Sequence, residues 1–119
     1  GDLGTVNFDF DKSNIDEAAS KVLNENIEQL MNSQKFRIRI DAYTDHVGWD
    51  QYNLRLSKRR AESVKQFYIE NGVSENRIES RGLGKAPQPC MEQTENQGCR
   101  ENRRAESHPL NPYQYEPNN

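Results

Sequence analysis

Between Phe36 and Tyr43 the sequence alternates strictly, with Phe36, Ile38, Ile40 and Ala42 apolar and Arg37, Arg39, Asp41 and Tyr43 charged or hydroxyl-bearing. A period of two is the pattern of a β-strand that lies on a core with one face and meets water with the other. Strands of a fully covered parallel sheet read as continuous apolar runs instead. The chain therefore needs its helices on one face of a mixed sheet.

Two stretches have the spacing of such helices. Ile15, Ala18, Ala19, Val22, Leu23, Ile27, Leu30 and Met31 form an apolar stripe that ends at Asn32, Ser33 and Gln34. Ser13, followed by Asp16 and Glu17, reads as an N-cap with acidic first-turn residues, which predicts a helix from about Asn14. A second helix is expected from Trp49 or Asp50, with Tyr52, Leu56, Val64, Phe67 and Tyr68 on its apolar face and Asn71 and Gly72 at its end. Thr5 to Phe10 alternates as a first strand, and Arg77 to Gly82, anchored by Ile78 and punctuated by Gly82 and Gly84, as a weak third.

The expected fold class is an α/β (α+β) two-layer sandwich, a β-α-β-α-β core with both helices on one face of a small mixed sheet. Right-handed crossovers place the helices together. A short last helix or strand follows from Arg100. At 119 residues there is room for one core, assigned to residues 1–106, and the Pro-rich stretch with Pro109, Pro112 and Pro117 is expected to be a polar tail over 107–119.

Composition narrows the partners. Only 32% of residues are hydrophobic and 29% are charged, so the core is thin and much of the surface is solvated. A formal charge of -3 argues against nucleic acid, although Lys58, Arg59 and Arg60 run together. No window approaches the roughly 18 apolar residues of a membrane span, so no membrane insertion by this segment is expected. Gly1 is not followed by the apolar core of a signal peptide, which leads us to expect a soluble piece of something longer. Cys90 and Cys99 lie in a polar loop with Pro89, Gln97 and Gly98, open to two readings, a disulfide or half of a zinc site. No second cysteine pair exists and His46 and His108 lack ligand spacing, which favours the disulfide, an oxidising compartment, and no metal or cofactor.

The stretch from Thr44 to Ala61 concentrates the chemistry. Asp45 ends the alternating strand, Gly48 permits a sharp turn, and Asn53, Leu56 and Arg60 then share one helix face. A carboxylate opposite a guanidinium can grip a zwitterion, or can be an ion pair of the fold alone. An exposed pair of that kind stabilises by only ~0 to 1 kcal/mol. Trp49 has two readings, stacking on a sugar or covering the start of the helix. Tyr43 reads as a half-buried strand residue, His46 as a solvated turn residue, and Lys58 and Arg59 as a solvated helix face.

Taken together, Thr44-Asp45-x-x-Gly48, Tyr52-Asn53-x-x-Leu56-Ser57-x-x-Arg60-Ala61, Gly82-x-Gly84 with Pro87, and Asn102-Arg103-Arg104 resemble the OmpA-like peptidoglycan-binding domain from about Val6 to Glu106. The resemblance implies non-covalent binding of peptidoglycan through the meso-diaminopimelate of its stem peptide, which anchors an outer-membrane or envelope protein to the cell wall at the periplasmic face of the outer membrane. No reaction and no enzyme are implied. Asp45 matches the aspartate that receives the diaminopimelate ammonium, and Arg60 the arginine that pairs with its carboxylate. Asn53, Leu56 and Thr44 match residues around that pocket, while Phe8 and Asp9 match the loop that forms its other wall.

The chemistry is consistent with those roles. An ammonium and a carboxylate on one carbon need an acceptor-only group beside a planar donor fork, and arginine supplies the fork where lysine does not. Asn102, Arg103 and Arg104 have two readings, contact with the glycan or peptide, or, the one favoured, tying down neighbouring carbonyls and carboxylates.

The chain also departs from the family. Ala42-Tyr43 stands where Gly-His is common, Phe10 follows Asp9, and Ala105 to Pro109 replace a valine-rich strand, so the last strand is expected to be short or missing. The alternative function is a protein-interaction module of an envelope or flagellar-motor complex with a vestigial pocket.

Overall fold

The computed structural model describes residues 3–33, 35–90 and 98–110. Its strands are β1 (Val6–Asn7), β2 (Ile38–Thr44), β3 (Ile78–Lys85) and β4 (Arg104–Pro109), and its long helices are α1 (Glu17–Asn32) and α2 (Asp50–Glu70). Single helical turns at Glu75–Arg77 and Arg100–Asn102 precede β3 and β4. The strands form one mixed four-stranded sheet in the order β1-β4-β2-β3. β2 and β3 are parallel, whereas β4 runs antiparallel to both β1 and β2.

The last strand corrects the expectation most sharply. β4 is neither short nor missing but interior, and its Ala105 lies opposite Val6 on one side and Ala42 on the other. Ser107 pairs with Ile40 and Pro109 with Ile38, so residues 107–109 belong to the sheet rather than to a tail. The sequence hides this because β4 turns only the small Ala105 and Ser107 into the core. Ser107 is satisfied there by the Tyr68 hydroxyl at 2.6 Å, which also accepts from Asn26 at 3.1 Å. Because β4 intervenes, β1 and β2 are not neighbours. The remainder of the expected tail, 111–119, lies outside the described residues.

Two helix and strand starts also move. Asp16, not Ser13, caps α1, since its carboxylate accepts the Ala19 amide at 2.8 Å, and a charged acceptor suits the positive helix end. The first strand pairs only at Val6 and Asn7, after which Phe8 donates to the Arg103 carbonyl and the chain turns away through Asp11 at a φ of 62°.

The helices bury Leu23, Ile27 and Leu30 of α1 and Ala61, Val64 and Tyr68 of α2 against Ile38, Ile40 and Ala42. Polar Asn53, Ser57 and Arg60 share the buried face of α2, while Tyr52, expected there, is exposed. A Cβ at Gly82 would lie 2.3 Å from the Lys58 amide, so only glycine lets α2 approach β3 this closely. The other sheet face meets water under ion pairs. Asp41 there accepts from Arg81 at 2.8 and 3.0 Å and from Arg39 at 3.3 Å.

Candidate functional site

The site forms where β2 runs out. Thr44, buried, donates its hydroxyl to the Asp45 carbonyl at 2.9 Å, and Ala86 after β3 donates its amide to the Thr44 carbonyl at 2.9 Å. The turn into α2 passes through Gly48 at a φ of 90°, a left-handed conformation suited to glycine. The Asn53 amide group donates to the carbonyls of Val47 at 2.8 Å and Trp49 at 3.0 Å, so a residue of the helix fixes the shape of the turn before it. His46 Nε2 donates to the Ala86 carbonyl at 2.7 Å and so is tied to the loop after β3.

Asp45 is 3% exposed and well provided with donors. One carboxylate oxygen accepts the Val47 amide at 3.2 Å, and the other accepts the Cys99 amide and Arg103 Nη1, each at 3.1 Å. Arg103 also donates Nε to the Phe8 carbonyl at 2.8 Å, and so joins the β1 exit to the strand end. Cys90 and Cys99 form a disulfide, which removes the zinc reading for those thiols. Next to Cys99, Gly98 has a φ of 64° and packs against the carboxylate, where an added Cβ would lie 2.0 Å from Asp45 Oδ2.

Arg60 is fully buried. Its Nε donates to the Lys12 carbonyl at 2.8 Å, Nη1 to Tyr43 at 3.0 Å and Nη2 to Asp9 at 3.2 Å. The Phe8 ring lies beneath it, with Cζ 5.1 Å from the centroid. Burial lowers the guanidinium pKa to about 10, the Asp45 charge acts in the opposite direction, and Arg103 adds to the lowering. Among the described residues Arg60 has no ion-pair partner, and the three bonds leave two of its five N–H groups. Asp45 pairs with Arg103 instead, so among the described residues Asp45 and Arg60 are not a salt bridge of the fold.

The other expected positions separate around this centre. Phe8 and Leu56 are buried, while Asp9 is exposed and pairs with Arg100 at 2.9 Å. Asn102 donates to the Gln88 carbonyl at 2.8 Å. Arg104 pairs with Glu106 at 2.7 Å and stacks over Tyr43 at 4.6 Å. Trp49 is 84% exposed, so it does not cover the helix start. The Cys99 amide and the Gly98 backbone were missed as neighbours of Asp45, and the only signal for them was the pair of cysteines. Asp41, Glu106 and His108 each place a ligand atom within 4.8 Å of the others, but Arg39, Arg81 and Arg104 already engage the two carboxylates and oppose a cation there.

The sequence profile of the OmpA family matches residues 7–103. The chain is similar to outer membrane protein A of Bordetella avium, 35% identical over 99 residues that cover 83% of this chain and 50% of that protein. It therefore spans half the length of that relative. The peptidoglycan-associated lipoprotein from Burkholderia pseudomallei is similar in structure, with a TM-score of 0.80 and 29% identity over 89% of each chain. The C-terminal domain of Helicobacter pylori MotB shares the fold at a TM-score of 0.72 and 19% identity, covering 91% of this chain and 86% of that one.

Proposed function

The chain belongs to the OmpA family, and from that premise we propose that it binds peptidoglycan without reaction, taking the meso-diaminopimelate of the stem peptide between Asp45 and Arg60. Bound in this way, it anchors an outer-membrane or envelope protein to the cell wall from the periplasmic side. No helix among the described residues is long and apolar enough to cross a membrane.

The observation that carries this proposal is the state of Arg60. A buried guanidinium held by three carbonyl oxygens is positioned but not neutralised, and burial disfavours its charge. A ligand carboxylate on its two remaining N–H groups would supply the missing countercharge through a bidentate contact. Asp45, the leading charge that favours protonated Arg60, would receive the ammonium on the same ligand carbon. An ammonium reaches Asp45 either on the lone pairs left by its three donors or in place of the Cys99 amide.

Calorimetry with a diaminopimelate stem peptide, a lysine-type peptide and the Asp45→Ala variant tests the proposal. Wild type should prefer the diaminopimelate peptide and the variant should lose it. Equal binding by wild type and variant, or a preference for the lysine-type peptide, would refute the assignment.

A further inference from the structure

Trp49 is the chain's single tryptophan and is left almost wholly in water at 84% exposure. Large aromatic side chains contribute to stability by burying area, so an indole left 84% exposed contributes little to the fold. Its backbone is nevertheless firmly held. The Trp49 carbonyl accepts both the backbone amide and the side-chain amide of Asn53, each at 3.0 Å, immediately after the Gly48 turn.

Two further exposed rings belong to α2 and to the β1 exit loop that Tyr52 contacts. Tyr52 follows Trp49 by one helical turn, is 39% exposed, and donates its hydroxyl to Asp11. Phe10, 44% exposed, precedes Asp11 in the β1 exit loop. That loop is fixed from its other side by Arg60, which holds the carbonyls of Asp9 and Lys12. The unusual φ of 62° at Asp11 is thus kept between two anchors. An aromatic rim therefore borders the elements that position Asp45 and Arg60.

We propose that Trp49, with Tyr52 beside it, is a stacking platform for the amino sugar that carries the stem peptide, so that one molecule of peptidoglycan contacts the chain through both peptide and glycan. The inference rests on the peptidoglycan reading above and extends it to a second contact. A pyranose offers a face of C–H groups to the electron-rich face of an indole, and hydroxyl and acetamide groups around its edge that need polar partners. Asp50, next to Trp49 and paired with Lys85 at 3.0 Å, and Asp11, bonded to Tyr52, each keep a second carboxylate oxygen as an acceptor beside these residues.

Because there is one tryptophan, its emission reports this contact alone. Three probes are titrated: the stem peptide, the disaccharide-linked stem peptide, and the free N-acetylglucosamine–N-acetylmuramic acid disaccharide. The two sugar-containing probes should shift the emission and the bare peptide should not. Trp49→Ala should weaken the disaccharide-peptide roughly 2- to 12-fold and leave the bare peptide unchanged, with Trp49→Phe intermediate. Equal wild-type affinity for the peptide with and without sugar would overturn the proposal. So would equal losses for both ligands in Trp49→Ala, or a Trp49-dependent self-association or vesicle binding with no effect of sugar. Failure of the bare peptide to bind, while the free disaccharide still shifts the emission, would break the diaminopimelate assignment and leave the platform standing.

Discussion

The two ends of β2 are each closed by a buried arginine that donates to backbone carbonyls, yet the two do different things. Arg77, at the entry, donates to Phe36 at 2.8 Å, Leu30 at 3.1 Å and Ser33 at 2.9 Å. These carbonyls lie at the end of α1 and along the connection that follows it. Helix-end carbonyls lack partners and carry the negative end of the dipole, so a cation there completes the fold. Arg60, at the exit, draws its acceptors from two separate segments, the β1 exit loop and Tyr43 of β2, and stands in the field of Asp45. Donation to backbone carbonyls therefore does not by itself separate a structural arginine from a binding one. What separates them is whether the acceptors themselves call for a positive charge.

The largest expected effect is on binding at the exit. Arg60→Ala should weaken binding to intact sacculi by ~2 to 5 kcal/mol, about 30-fold to a few thousand-fold, in a co-sedimentation assay. Circular dichroism at the assay temperature checks that the variant is folded. Arg77→Met should instead lower unfolding free energy by about 2 to 4 kcal/mol in urea, because it strips partners from buried carbonyls. Its folded fraction should bind sacculi like wild type. The comparison breaks if Arg77→Met costs as much affinity as Arg60→Ala.

A smaller effect separates the ends in a different way. Gly98 is in the left-handed region and touches Asp45, so Gly98→Ala meets both a backbone penalty and a clash 2.0 Å from Oδ2. We expect a loss of about 1 to 2 kcal/mol in stability together with weaker binding of the diaminopimelate peptide. Binding unchanged by Gly98→Ala would show that Asp45 has no part in the ligand contact.

The difference between the ends was only half legible in the sequence. The alternation at Phe36 to Tyr43, the α1 stripe and the Asn71-Gly72 stop are local patterns, and they predict β2 (Ile38–Thr44), the body of α1 and the end of α2 because burial imposes those periods. β4 escaped because a central strand flanked by ladders on both sides needs only Ala105 and Ser107 inside, and carries Arg104, Glu106 and His108 on the wet face. Arg77 was read only as the start of a weak strand, since nothing local links it to carbonyls 41 to 47 residues away. Asp45 and Arg60 stood out through motif spacing. Their actual partners, Arg103, the Cys99 amide and the carbonyls of Asp9, Lys12 and Tyr43, are all fixed by tertiary contacts that a one-dimensional pattern does not encode.

Between the two ends, Asp41 is a buried charge within β2 itself and serves as the control for both. Burial raises its pKa, but the hydrogen bond from Arg81 and the charges of Arg39 and Arg81 more than reverse this and leave it below its ordinary value of 3.8. A carboxylate whose folded pKa is depressed stabilises the fold above its unfolded pKa, and that contribution is lost as pH falls through the folded value. Asp41→Asn should therefore lower the melting temperature slightly near neutrality, and the gap from wild type should close as the pH falls below the ordinary value of 3.8 and through the lower folded one. Because both partner arginines are partly in water, this effect should be the smallest of the series. Sacculus binding at neutral pH should be unchanged, since Asp41 faces the side of the sheet away from the helices. A loss of binding in Asp41→Asn would mean that the open sheet face, and not the exit of β2 alone, meets the cell wall.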